Sequence, residues 1–227
     1  MKTGSTQNGQ LSKNSNLKIS VLRITPSGQR KQVKGMKTTN IMIVGVGGQG
    51  TLLASRLLGH ILPGMGYDVK ISEVHGMSQR GGSVVTFVRY GSEVNSPIVE
   101  KGEADYIIAF EQLEAARWLS YLKKDGKLIT SSQQIDPMPV ITGACAYPES
   151  LPDRIKQAGV DELCIDVLSL ANKAGSSKAV NVVLLGVFAK LTGLNPELFK
   201  EAIDLLVKEK FRQMNKTAFD LGYAVIQ

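Results

Sequence analysis

The stretch that decides the fold is Gly45-Val46-Gly47-Gly48-Gln49-Gly50, which lies between a short apolar run and a segment with helical periodicity. The run before it, Ile41 to Val44, is typical of a strand buried on both faces. After it, leucines recur at helical spacing from Leu52 to Leu58. Glycines in such a turn allow positive φ angles, and the following helix directs its free amides and positive dipole end at the turn. We therefore predict a strand, a glycine turn and a helix that together form an anion site.

Gly45, Gly47 and Gly50 match the dinucleotide fingerprint G-x-G-x-x-G. The motif alone is not specific, because flavoproteins, adenylating enzymes and inert Rossmann-like folds also carry it. An NAD-dependent dehydrogenase would use these glycines together with Glu73, which follows Gly50 by 23 residues, near the position of an acid that binds the ribose. A strand-end Glu73 that pairs locally with Lys or Arg is the structural alternative.

A second glycine-rich segment is His75-Gly76-Met77-Ser78-Gln79-Arg80-Gly81-Gly82-Ser83, which follows a predicted strand at 68–73. This order places it near the carboxyl edge of an open α/β sheet, where ligands bind. Its polar side chains and glycines suit a phosphate or the backbone of a partner; a tight turn with a solvated Arg80 is the alternative. His75 is a candidate general base, although a histidine beside a glycine turn is more often a structural hydrogen-bonding group.

The positive charge of the chain is concentrated at its start. The whole chain has a formal charge of +7, and residues 1–39 contain eight Lys and Arg and no acid, so the remainder is close to neutral. We predict that 1–39 is a basic, flexible extension and 40–227 a single domain, although Lys18 to Thr25 alternates and can form a strand. Because the folded part shows no basic stripe, we do not expect nucleic-acid binding.

Composition excludes two further classes of protein. No apolar run approaches the roughly 18 residues of a membrane span, so we expect no membrane insertion. Only Cys145 and Cys164 are present, which argues against a disulfide framework and favours a cytoplasmic location. We expect both cysteines in the core.

From residue 40 onward, predicted strands and helices alternate, and the last 50 residues are helical. The predicted strands are 40–44, 68–73, 83–90, 105–110, 126–130 and 163–167, and the main predicted helices are 49–63, 111–122, 181–191 and 195 to about 211. This order predicts an α/β fold: three layers, α/β/α, with a mostly parallel, Rossmann-like sheet and a helical C-terminal section.

Taken together, the two glycine segments and the Arg89-Tyr90-Gly91 tripeptide resemble the gamma-type domain of the pyruvate and other 2-oxoacid:ferredoxin oxidoreductases. Further similarity follows at 104–105, 109–111, 114–117, 147–148, 178–181, 185–186, 215–219 and 222. The resemblance covers 40–227 and leaves the extension uncovered. Within the family, the chain is most similar to the small beta subunits of the enzymes that act on indolepyruvate.

The resemblance implies a two-subunit enzyme that oxidatively decarboxylates an aryl pyruvate with coenzyme A, releasing an aryl-acetyl-CoA and CO2 and reducing ferredoxin. The large alpha subunit of such enzymes holds thiamine diphosphate, magnesium and the [4Fe–4S] clusters. This chain agrees from its own residues, since two cysteines cannot supply four thiolates and no Gly-Asp-Gly motif for the diphosphate and magnesium is present. We therefore expect a non-redox subunit that holds no catalytic or metal-binding residue and is inactive alone.

Two roles for the glycine segments stay open. In the first, coenzyme A phosphates are received by Gly45, Gly47, Gly48, Gln49, Gly50 and Arg80. In the second, the surfaces contact the large subunit and shape its active site, for which the candidates are Glu73, His75, Gly76, Ser78, Gln79, Gly81 and Gly82. Outside the family, the alternatives are a stand-alone NAD(P)-binding Rossmann oxidoreductase and an adenylating enzyme of the ubiquitin-activating type, which would usually carry two Cys-x-x-Cys pairs that this chain lacks.

Overall fold

The glycine turn at 45–50 divides a buried strand from a helix in the computed structural model, which describes residues 18–24, 35–75 and 81–226. The strands are β1 (Lys18–Ile24), β2 (Thr39–Val46), β3 (Asp68–His75), β4 (Ser83–Gly91), β5 (Ala104–Ala109), β6 (Leu122–Ser131) and β7 (Asp161–Ile165). The helices are α1 (Thr51–Gly64), α2 (Gln112–Trp118), α3 (Met138–Ile141), α4 (Leu151–Gln157), α5 (Val167–Ala174), α6 (Val180–Thr192), α7 (Pro196–Leu206) and α8 (Glu209–Tyr223).

The strands form one sheet in the order β1-β3-β4-β2-β5-β6-β7. Pairing is parallel from β2 through β5 and β6 to β7, and antiparallel from β1 through β3 and β4 to β2. Of the seven strands that the structure describes, five therefore share one direction and β1 and β4 oppose them, so the predicted, mostly parallel α/β sheet is confirmed. One difference from the simplest Rossmann order matters for function: β4 lies between β3 and β2.

Helices cover both faces of the sheet, and the central strand β2 is apolar at consecutive positions, so that it presents apolar side chains to both faces. Ile41 and Ile43 of β2 pack into a core with α1 and the C-terminal helices. Met42 and Val44 of the same strand pack on the other face, against α2 and α4. Helix α6 is apolar on all sides and nearly completely buried, as its sequence predicts. The three-layer architecture is thus confirmed.

The C-terminal section is helical, but the predicted helix from 195 to about 211 is two helices. Asn195 caps α7 as expected, since its Oδ1 accepts a hydrogen bond from the Glu197 N–H at 3.0 Å. The helix ends at Leu206 because Val207 adopts an extended conformation, with φ −98° and ψ 138°. The break redirects α8 across α6, where Gly186 and Gly222 allow the two backbones to approach closely.

The alternating segment near the start of the chain forms β1 and extends the sheet at the β3 edge. Its register runs from Lys18 opposite His75 to Ile24 opposite Val69. Most of the predicted extension lies outside the described residues, so its flexibility stays a prediction. Within the described part of the chain, no helix is long and apolar enough to cross a membrane. Cys145 and Cys164 are exposed, so the expectation of buried cysteines is wrong.

Candidate functional site

The candidate site lies where the sheet changes its direction of winding. After β2 the chain crosses one face through α1 toward β3, whereas after β5 it crosses the other face through α2 toward β6. β2 and β5 are parallel neighbours, so a crevice opens between their carboxyl ends. Such a switch point is where ligands bind in open α/β sheets.

The two glycine segments meet at this edge. The Gly47 N–H donates a hydrogen bond of 2.8 Å to the Gly82 carbonyl oxygen, and Val46 is the register partner of Ser83. The prediction that the second segment lies at the carboxyl edge is confirmed for Gly81 and Gly82. The described end of the second segment, distant in sequence, therefore lies against the first glycine loop and shares one surface with it.

The side-chain amide of Gln49 fixes the conformation of the first glycine loop through two hydrogen bonds. Its Oε1 accepts the Val46 N–H at 2.7 Å, and its Nε2 donates to the Phe110 carbonyl oxygen at 3.0 Å. Gly45 makes room for this arrangement, since a Cβ there would lie 2.9 Å from Gln49 Oε1 and 3.0 Å from Phe110 Cβ. The Gln49 amide thus ties the loop to the end of β5.

Helix α1 begins without a side-chain cap. Gly50 occupies the N-cap position in the left-handed region, with φ 88°, and no acid lies in the first turn. Asn181 Nδ2 donates to the Gly50 carbonyl oxygen at 2.9 Å, which fixes the loop against the start of α6. The amides of Gly48, Gly50, Thr51 and Leu52 have no hydrogen-bond partner among the described residues. These N–H groups carry uncompensated partial positive charge, which suits an anion.

A pocket of about 250 Å³ opens beside these amides. It is lined by Gly47, Gly48, Gly50, Thr51, Leu52, Val84 and Thr86. Among the residues that the structure describes, no carboxylate lines this pocket, so an entering anion meets no charge repulsion from them.

Helix α2 begins at the same edge with a buried acid. Glu111 is the N-cap residue and is 1% exposed. Its carboxylate accepts hydrogen bonds from the Glu114 N–H at 2.8 Å, the Ile135 N–H at 3.2 Å and the Tyr147 hydroxyl. Burial, together with the hydrogen bond and the negative charge of Glu111, raises the pKa of Tyr147 well above its usual value of 10.0. The Glu111 side chain therefore caps α2, since it accepts the hydrogen bond of a first-turn amide that the helix itself leaves unpaired.

Glu114 extends this network to the second glycine segment. Its carboxylate accepts hydrogen bonds from the Ser83 hydroxyl, from Trp118 Nε1 at 3.3 Å and from Arg117 Nε at 3.1 Å. Because Ser83 opens β4 directly after Gly82, Glu114 positions the end of that segment. The network borders a second pocket of about 200 Å³, on the α2 side of the glycine surface.

Glu73 lies inside the molecule and does not line the pocket beside the glycine loop. It is 3% exposed, and its Oε1 accepts a hydrogen bond of 2.6 Å from the Ser55 hydroxyl of α1. In a dinucleotide-binding fold the ribose-binding acid ends the strand beside the glycine-loop strand. Here β4 separates β3 from β2, so the surroundings of Glu73 differ from those of an NAD site.

Comparison with known proteins identifies the domain. The family model for pyruvate ferredoxin/flavodoxin oxidoreductase matches residues 40–225. The chain belongs to this family. The resemblance seen in the two glycine segments is confirmed.

Curated members of the family match nearly end to end. Indolepyruvate oxidoreductase subunit IorB of Pyrococcus horikoshii is 44% identical over 194 residues, which cover 82% of this chain and 95% of that protein. The protein of the same name from Thermococcus kodakarensis is 42% identical, and the match again covers 82% of this chain and 95% of that protein. Among solved structures, the gamma subunit of a keto/oxoacid ferredoxin oxidoreductase from Geobacter sulfurreducens PCA shares the fold, with a TM-score of 0.60, 23% identity, and coverage of 82% of this chain and 96% of that one.

Within this pyruvate ferredoxin/flavodoxin oxidoreductase domain, the structure brings together only some of the predicted site residues. Gly45 to Gly50, Gly81 and Gly82 share one edge, whereas Glu73 lies beneath α1. Gly76, Ser78, Gln79 and Arg80 lie outside the described residues, as does the His75 side chain. Sequence reasoning missed the bond from Tyr147 to Glu111, because a contact between residues 36 apart follows no local pattern.

Proposed function

We propose that this chain is the small, non-redox beta subunit of an aryl pyruvate ferredoxin oxidoreductase that acts on indolepyruvate. In the proposed reaction an aryl pyruvate and coenzyme A give an aryl-acetyl-CoA and CO2, and two electrons pass to ferredoxin. The observation that supports it most is the 44% identity to a whole subunit named for indolepyruvate. The joined glycine segments at the switch point are the surface through which the chain would contribute.

The proposal assigns the redox chemistry to a large alpha subunit. Thiamine diphosphate, magnesium and the [4Fe–4S] clusters would reside there. A cluster held by four thiolates needs twice the number of cysteines that this chain contains. We therefore expect the isolated chain to show no turnover with any 2-oxoacid.

The open start of α1 is the position that we assign to coenzyme A. The amides of Gly48, Gly50, Thr51 and Leu52 and the pocket beside them fit a phosphate or diphosphate group. Coenzyme A supplies the thiol that accepts the acyl group. The contribution of this chain is to hold the phosphates with neutral amides and to fix their position through a loop tied down by Gln49 and Asn181.

The stand-alone NAD(P)-binding alternative has less support. It requires an acid beside the glycine loop, but Glu73 is bonded to Ser55 and is buried. The strand between β3 and β2 also removes the adjacent parallel pair on which a dinucleotide site is built.

The test is to co-express the chain with a large, cysteine-rich thiamine-binding subunit from the same source and to assay viologen or ferredoxin reduction. We expect reduction that requires indolepyruvate, coenzyme A and both subunits. Each subunit assayed alone is the control. Turnover by the isolated chain, or tight NAD binding to it without a partner, would contradict the proposal.

A further inference from the structure

A crevice between α2 and α4 is not used by the proposed site. Its volume is about 490 Å³, larger than either pocket at the glycine surface. The lining is mostly apolar, with Leu113 and Ala116 from α2 and Leu151 and Ile155 from α4. Residues three or four apart on a helix share one face, so each helix directs a short apolar stripe into the crevice.

The charged groups in the lining of the crevice are both positive. In the part of the chain that the structure describes, Arg117 and Arg154 contribute to the lining and no carboxylate does. Arg117 is bonded to Glu114 through Nε only, so its two terminal nitrogens stay available to a second carboxylate. Arg154 is exposed and forms no ion pair within the described ranges. On the same helix Asp153 lies two residues from Leu151, so it faces away from the stripe.

The crevice is continuous with the glycine surface. Leu113 and Arg117 line both the crevice and the pocket that borders Gly82 and Ser83. Met138 of α3 also lines that pocket, and both Met138 and Ile141 are 64% exposed. The connecting pocket also contains Glu111, Glu114 and Asp136, so the positive rim belongs to the crevice itself, and apolar side chains connect the crevice with the candidate site.

We propose that the crevice is a docking site for an acidic segment of the large subunit, one that inserts an apolar side chain between α2 and α4 and places a carboxylate against Arg117 and Arg154. The inference rests on the proposed function, because it names the partner assigned there. Charge complementarity selects an acidic segment, and the apolar floor selects a side chain without a polar end. Continuity with the glycine surface places this contact and the proposed coenzyme A site on one connected face.

The test measures binding of the full chain to the large subunit by biolayer interferometry at two salt concentrations. Arg154→Glu reverses an exposed charge, and Ala116→Trp fills the crevice from a partly exposed position. We expect each variant to weaken binding about tenfold, and Arg154→Glu also to reduce the salt dependence of the association rate. Arg56→Glu is the matched control, since Arg56 is exposed on α1, on the other face of the sheet. Thermal unfolding of each variant shows that the fold is retained.

The outcomes separate this inference from the proposed function. Binding of both variants with unchanged affinity, or equal weakening by Arg56→Glu, would overturn the docking site and leave the proposed function intact. A wild-type chain that binds no large subunit would overturn both. Binding of phenylacetate to the isolated chain that Arg154→Glu abolishes, with the complex unaffected, would replace the docking site with a small-molecule site.

Discussion

Helices α1 and α2 begin at the carboxyl ends of neighbouring parallel strands, but their first turns differ completely. The start of α1 has a glycine cap, no acid and four amides without a partner among the described residues. The start of α2 has Glu111, a buried acid that accepts three hydrogen bonds. Both termini carry the same partial positive charge. In α2 the Glu111 carboxylate offsets that charge, whereas at the start of α1 no side chain among the described residues does so, and there we propose that a ligand anion takes this role.

The two helix starts at the switch point are therefore assigned different roles, a structural one at α2 and a ligand-binding one at α1. A carboxylate at a helix start satisfies the amides permanently, so Glu111 and Glu114 are structural residues that position β4. The start of α1, whose amides have no partner among the described residues and which borders a pocket, is where we propose that a ligand binds. Loss of the Glu111 carboxylate at α2 is therefore expected to lower stability, whereas a carboxylate introduced at the start of α1 is expected to lower ligand affinity.

The largest effect is expected from Glu111→Ala. The substitution removes the cap of α2 and leaves the Ile135 N–H, the Glu114 N–H and the Tyr147 hydroxyl without their acceptor. We expect the free energy of unfolding to fall by about 4 kcal/mol, measured by urea denaturation. Glu149→Ala, at an exposed position nearby, is the control and should change stability by no more than about 0.5 kcal/mol. Similar stability of both variants would show that the hydrogen bonds accepted by Glu111 do not stabilise the fold.

Gly50→Ala is expected to destabilise the domain by about 3 kcal/mol. The residue has a positive φ, and a Cβ there would collide with the Asn181 side chain. Gly48→Ala is the comparison, since Gly48 also has a positive φ but open space around it, and it should cost only about 1 kcal/mol. Thermal and urea unfolding of the two variants measure the difference. Equal losses would mean that Asn181 does not hold the loop.

The sequence predicted the architecture because each of its signals is local. The apolar run at 41–44, the glycines after it and the Asn195 cap each specify backbone geometry within a few residues. Chain order and the carboxyl-edge rule predicted that the second glycine segment lies near the carboxyl edge of the sheet, and the Gly47 to Gly82 hydrogen bond confirms this for Gly82. The contact between the two segments was not predicted.

Other features depend on contacts that no local pattern encodes. The placement of β4 between β3 and β2 decides that Glu73 lies under α1, and only strand order shows it. The break at Val207 carries no Pro or Gly signal, and it follows from the packing of α8 on α6. The exposed cysteines were misjudged because cysteine is buried on average, an argument that uses no neighbouring residue.

The contact between Tyr147 and Glu111 at the start of α2 also predicts that the stability of the fold depends on pH. The pKa of Tyr147 is higher in the folded chain than its usual value of 10.0, so the folded state retains a proton that the unfolded state loses above that pH. Stability is therefore complete below about pH 10 and falls as the pH rises further. We expect Tyr147→Phe to make this decline shallower, measured by urea unfolding between pH 8 and 11. Tyr90 and Tyr106, whose pKa values burial also raises, account for the decline that remains. An identical decline in wild type and variant would contradict the assignment.

The smallest effect on stability is expected at the start of α1. Thr51→Asp introduces an acid into the first turn of α1, which should stabilise the helix by about 0.5 kcal/mol through the dipole. Thr51→Asn, similar in shape and uncharged, is the control for side-chain volume. A loss of stability in the Asp variant alone would show that the helix start is already neutralised.

The most direct test of the central claim is the KM for coenzyme A of the reconstituted two-subunit enzyme that carries Thr51→Asp. We expect the KM to rise more than tenfold, because the new carboxylate occupies the amides and repels phosphate, with kcat nearly unchanged and Thr51→Asn close to wild type. A KM for coenzyme A equal to that of the wild-type enzyme would contradict the claim that the open start of α1 binds the phosphates.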